Sequence, residues 1–108
     1  MNIDPMKSLQ TLHRVGPLYA KAKAERIYLE ESLRSTKAIQ MQSSGEQTAA
    51  AQEREAYASD AYRIQLEGLR VAVEQEEAYR YQLVTAQAAI EVYRTMEASN
   101  RRMDKAAA

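Results

Sequence analysis

From Asp60 to Asn100 the chain contains no proline and a single glycine, Gly68, and this uninterrupted run constrains the fold more than any other feature. Forty residues of α-helix rise about 60 Å. A compact globule of this chain length is roughly 35 Å across. The run is longer than such a globule is wide, so the chain is predicted to be elongated, with one long C-terminal helix over about 60–100. Leu69, Ala72, Glu76, Tyr79, Leu83, Ala86, Ile90 and Tyr93 recur there at alternating spacings of three and four, and only Glu76 is polar. Sustained over three heptads, that alternation is a coiled-coil seam. Tyr62, Leu66, Leu69 and Val73 extend the stripe toward the start of the helix. The predicted interface residues are therefore Tyr62, Leu66, Leu69, Val73, Tyr79, Leu83, Ile90 and Tyr93.

Composition supports an all-α chain. All seven aromatic residues are tyrosine, and there is no cysteine, tryptophan or phenylalanine. Leu, Ile and Val together number 18 while Ala alone numbers 19, which starves any β-sheet of the branched and aromatic residues it needs. Without cysteine there is no disulfide scaffold, thiolate metal site or thiol nucleophile. Good helix formers dominate what remains. The predicted fold is an all-α, elongated helical hairpin resembling a coiled-coil bundle, in one domain over 1–108.

Local signals divide the rest of the chain. Asp4-Pro5 is a helix start, because Asp caps and proline at the first helical position sacrifices no hydrogen bond. Met6, Leu9, Leu12 and His13 suggest a short helix over 5–15, ended by Gly16-Pro17. A second helix is predicted over 17–42, with Leu18, Ala22, Leu29, Leu33 and Thr36 on one stripe and Ile27, Tyr28 and Ile39 off it. Ser43-Ser44-Gly45 marks the turn, placed at 43–46. Ser44 and Gln47 have capping-box spacing, so a helix is expected over 47–58. Ser59-Asp60 is a second cap signal and predicts a kink or short break. Gly68 costs roughly 1 kcal/mol against Ala in a helix interior, which a close helix crossing would explain. Residues 101–108 read as a frayed tail.

Fifteen basic side chains balance fifteen acidic ones, but unevenly: residues 1–42 carry +3, 43–77 carry −5 and 78–108 carry +2. The simplest reading is a hairpin whose segments attract one another. The sharper one is that the basic end, Arg94, Arg101, Arg102 and Lys105, touches phosphates. A neutral chain with an acidic middle makes nucleic-acid contact the less favoured of the two. Glu67 with Arg70, Glu91 with Arg94, Glu76 with Arg80 and Glu97 with Arg101 have pairing distances along a helix.

Catalytic chemistry has little to work with. His13 is the only histidine, so no two-histidine metal motif exists, and its reading is a partly exposed residue near a helix end. Glu30-Glu31 and Glu76-Glu77 are adjacent on a helix, point about 100° apart and cannot converge on one metal. No glycine-rich phosphate loop is present. No catalytic residue, metal site or cofactor is expected. Tyr62-Arg63, Arg80-Tyr81 and Tyr93-Arg94 could stack single-stranded bases, against the plainer reading of tyrosine in a wet bundle rim. No apolar leader and no membrane span is evident, so a cytoplasmic protein is expected.

Two segments resemble a known family. TAAAQEREAYASDAYR (48–63) and AAIEVYRTMEASNRRMD (88–104) look like parts of small, uncharacterised helical proteins encoded in the early, recombination and replication region of tailed bacteriophages. The resemblance spans about 28–104. Where that family carries tryptophan near the end, this chain has Tyr93. The resemblance implies a phage protein made in the bacterial cytoplasm and no assigned activity. The expected function is a non-enzymatic interaction protein that self-associates through its long helix and binds a phage or host protein. The alternatives are an accessory of phage recombination that contacts single-stranded DNA, and a small inhibitor of a host defence protein.

Overall fold

The computed structural model describes residues 2–107. It is all-α: α1 Pro5–Gln42, α2 Ala49–Ala58 and α3 Asp60–Ala107, with no strand among the described residues. At 1.5 Å per residue, the 48 residues of α3 rise about 72 Å. The chain divides into two compact units where the sequence suggested one domain. One comprises the described residues up to Ala20 with those from Glu77 onward, and the other is Lys21–Glu76.

In the first unit the start of α1 and the end of α3 pair through a narrow seam. Ser8, Leu12, Val15 and Tyr19 supply one side, and Tyr79, Leu83, Ala86, Ile90 and Tyr93 the other. Val15 is fully buried and Ala86 nearly so. In the second unit Ala22, Arg26, Leu29, Leu33 and Thr36 of α1 meet Tyr62, Gln65, Leu69, Ala72 and Glu76 of α3, with Ala56 of α2 buried beside them. The helices run antiparallel. Thr36 donates to Gln65 Oε1 at 2.5 Å, and Arg26 bonds Glu76 farther along.

Several boundaries differ from the sequence expectation. The predicted break at Gly16-Pro17 is absent, and α1 passes through both residues. Its covered positions alternate by three and four from Ser8 to Gln40 without a slip, so burial of Val15 and Tyr19 on either side holds the helix together. Pro17 lies on the exposed side, where water can reach the His13 carbonyl that loses its donor. Leu18 is correspondingly 38% exposed, and Tyr19 takes its place on the stripe. The expected close crossing at Gly68 is also absent, because a Cβ there would meet nothing within 4 Å.

The connection between α1 and α2 runs to Thr48, not 46. Thr48 Oγ1 accepts from the Ala51 amide at 3.1 Å and caps α2. Ser44, the expected cap, instead accepts from the Glu46 amide at 3.1 Å and donates to Glu55 at 2.8 Å. At Ser59 the chain is extended, with φ −69° and ψ 149°. Its hydroxyl accepts from the Tyr62 amide at 3.3 Å, which caps α3 and separates it from α2. Residues 101–107, expected to fray, continue α3. An Ala- and Arg-rich end has no breaker to stop it. Ala108, the last of the expected tail, lies outside the described residues.

Candidate interaction surface

The seam residues predicted as an interface are mostly used inside the chain. Tyr62, Leu69, Tyr79, Leu83, Ile90 and Tyr93 are half-buried within their own units. The Tyr62 ring meets Tyr57 edge-on, with centroids 5.1 Å apart. Leu66 and Val73 are 46% and 38% exposed, because the stripe passes through Gln65 and Ala72 instead. A polar glutamine at the seam was invisible to a search for apolar residues. Gln65 is satisfied there by Thr36 and Ser32.

Two ionic clusters hold the second unit. Arg26 donates from Nε and Nη2 to the two oxygens of Glu76, a bidentate arrangement, and from Nη1 to Glu30 at 2.9 Å. These bonds hold the guanidinium pKa well above its ordinary value, the Glu76 bond contributing most. Glu76 is the one buried charged residue among those described, at 6% exposure. The sequence suggested Arg80 as its partner; Arg80 pairs with Glu77 at 2.6 Å instead. Lys37 donates to the Tyr57 hydroxyl at 2.8 Å and to Glu53 at 3.1 Å, fastening α2 to α1. The bond to Tyr57 first, then that to Glu53, raises the Lys37 pKa; the Lys37 bond lowers that of Glu53.

The predicted phosphate contacts do not converge. Arg94 is engaged by Glu91 at 3.2 Å. Arg101, Arg102 and Lys105 are exposed on the last turns of α3, beside Asp104, which lines the same shallow surface. Arg101 has no ion-pair partner among the described residues. Of the tyrosine–arginine pairs, Tyr62 is engaged by Tyr57, and Arg80 and Arg94 by carboxylates. Tyr81 is 71% exposed.

The largest unused feature is apolar. Among the described residues, four apolar side chains are buried and sixteen large ones are exposed, including Ile64, Val71, Tyr81, Val92, Met96 and Met103. On α3 in the first unit, Ala78, Gln82, Thr85, Ala89, Val92, Met96, Ser99 and Met103 follow one another at three–four spacing without a charge. Beside this stripe, a hollow of about 370 Å³ lies between α1 and α3, lined by Lys7, Ser8, Thr11 and Arg14 on one wall and by Tyr81, Gln82, Thr85, Ala86 and Ala89 on the other. Composition alone did not reveal this groove, since its walls come from opposite ends of the chain.

His13 is exposed and stands alone. No group of three or more His, Asp or Glu residues among those described is placed to hold a metal ion. No helix of the described residues is long and apolar enough to cross a membrane. The chain matches no protein-family model, no curated protein and no solved structure.

Proposed function

We propose that this protein is a non-enzymatic helical interaction module that self-associates through exposed apolar faces of its long helix. The observation that carries the proposal is the imbalance between four buried apolar side chains and sixteen large exposed ones among the described residues. The likeness of residues 48–63 and 88–104 to helical phage proteins gives the reading its setting, a bacterial cytoplasm in which a phage or host protein would be the further partner.

Sedimentation equilibrium across the micromolar range tests this. A mass at least twice 12.2 kDa is expected. A monomer at every concentration overturns self-association.

A further inference from the structure

Two charge ladders on the described helices share one spacing. On α1, Lys7 and Arg14 are exposed and seven residues apart, and no acidic residue occurs from Pro5 to Ala24. Both cations stand on one wall of the hollow between α1 and α3, whose lining contains no acid. Neither has a carboxylate partner among the described residues. The opposite wall, Tyr81, Gln82, Thr85, Ala86 and Ala89, carries no charge. The groove is thus uncharged along one side and cationic along the other.

In the second unit, α3 carries the complement. Asp60, Glu67 and Glu74 are exposed at intervals of seven. Between them lie Ile64, 71% exposed, and Val71, 49% exposed. Positions 60, 64, 67, 71 and 74 alternate by four and three, so they share one face of the helix. That face is an apolar strip edged by three carboxylates, with Arg63 and Arg70 interleaved among them. Glu67 and Glu74 already bond Arg70, yet their side chains remain 63% and 73% exposed and have oxygens to spare. Seven residues of helix rise about 10.5 Å, so two carboxylates seven apart can meet two cations seven apart.

We infer that the groove lined by Lys7, Arg14, Thr85 and Ala89 receives the 60–75 segment of α3 from a second copy of this chain. Ile64 and Val71 of that copy cover the uncharged wall, while Glu67 and Glu74 lie along Lys7 and Arg14. The inference rests on the self-association proposed above and specifies its surface. Charge favours a copy in this arrangement. The unit holding the groove has seven basic and five acidic side chains, and Lys21–Glu76 has eight basic and ten acidic. Each unit therefore prefers the other kind, and contacts between like units are disfavoured. Made reciprocally, the contact closes a two-fold dimer.

A charge-swap experiment tests it on the full chain. Lys7→Glu/Arg14→Glu and Glu67→Lys/Glu74→Lys are purified separately and then mixed. At a concentration where the wild type sediments as a dimer, each variant alone is expected to sediment at half that mass. The equimolar mixture regains the dimer, because every groove again faces a ladder of opposite sign. Far-UV circular dichroism checks that both variants stay helical. If either unfolds, Lys7→Gln/Arg14→Gln and Glu67→Gln/Glu74→Gln replace the reversals, and each is expected to raise the dimer dissociation constant at least tenfold. A dimeric wild type whose mass neither pair of substitutions changes overturns this surface and leaves self-association standing. A monomeric wild type removes both. A labelled single-stranded oligonucleotide is titrated in parallel: salt-sensitive binding lost in Lys7→Glu/Arg14→Glu, with the dimer mass unaltered, would make the cationic wall a phosphate site and overturn the inference.

Discussion

Arg26 and Glu76, fifty residues apart in sequence, form a bidentate ion pair inside the seam between α1 and α3. Glu76 is the polar residue that interrupts an otherwise apolar stripe, and its partner is the arginine at the facing position. A pair of this kind adds little net stability, since both groups lose water. It does penalise every register in which the carboxylate is buried without the guanidinium, as a polar residue does in a coiled coil.

Unequal effects of the two partners follow from that asymmetry. Arg26→Met leaves the Glu76 carboxylate buried without its cation and is expected to lower the thermal midpoint markedly. Glu76→Leu leaves the cation a quarter exposed and still bonded to Glu30, so its effect should be smaller. Arg26→Met/Glu76→Leu should recover most of the loss. Calorimetry of the three variants checks the order; a double variant no better than Arg26→Met would show that the pair contributes stability in its own right.

Acid should loosen α2 first. Lys37 holds the Glu53 carboxyl below its ordinary 4.5, so the stability from Glu53 is present above that value and is lost as pH falls through the lower folded pKa. The Lys37 pKa is raised above 10.5 by Tyr57 and Glu53, so its share is present below that value and fades only as pH rises past the higher folded pKa. The clasp is complete from about pH 5 to pH 10. The protection of α2 amides, taken relative to their intrinsic exchange rates between pH 3 and pH 6, should fall at the acid end. In Glu53→Gln that pH dependence should shrink; an unchanged profile would mean that other carboxylates govern the transition.

Gly68 offers a direct gain. Nothing lies within 4 Å of a Cβ built on it, so alanine meets no obstacle. Gly68→Ala should therefore stabilise the protein by about 1 kcal/mol, the ordinary difference between these residues in a helix interior. Urea unfolding measures this. A destabilised variant would place an unseen neighbour against that face of α3.

The all-α class and the long last helix were legible because they rest on one robust signal, a proline-free run longer than a globule is wide. The seam from Leu69 to Tyr93 was legible too, since its residues are apolar apart from Glu76. What escaped were stripes written in polar residues. Ser8, Arg26 and Gln40 hold covered positions of α1 that the apolar pattern does not mark, and the stripe drawn through Leu18 belongs at Tyr19. The same bias selected Leu66 over Gln65. Long-range partners had no local trace: nothing near Glu76 pointed to Arg26, and the wall of Lys7 and Arg14 acquires meaning only opposite Thr85 and Ala89.

Gly16-Pro17 is the sharpest case of tertiary context overriding a local breaker, and it carries a measurable consequence. Pro17 sits inside a continuous 38-residue helix. Proline there forfeits the bond to the His13 carbonyl and crowds it, at about 3 kcal/mol relative to alanine. Alanine also loosens the unfolded chain, which returns up to about 1 kcal/mol. Pro17→Ala should thus stabilise the protein by about 2 kcal/mol, seen as a higher urea midpoint with an unchanged slope. Were residues 5–15 a separate helix ended by Gly16, Pro17 would sit at a favoured first position of the next one. Pro17→Ala would then be neutral or destabilising. The sign of the shift distinguishes a continuous α1 from a broken one.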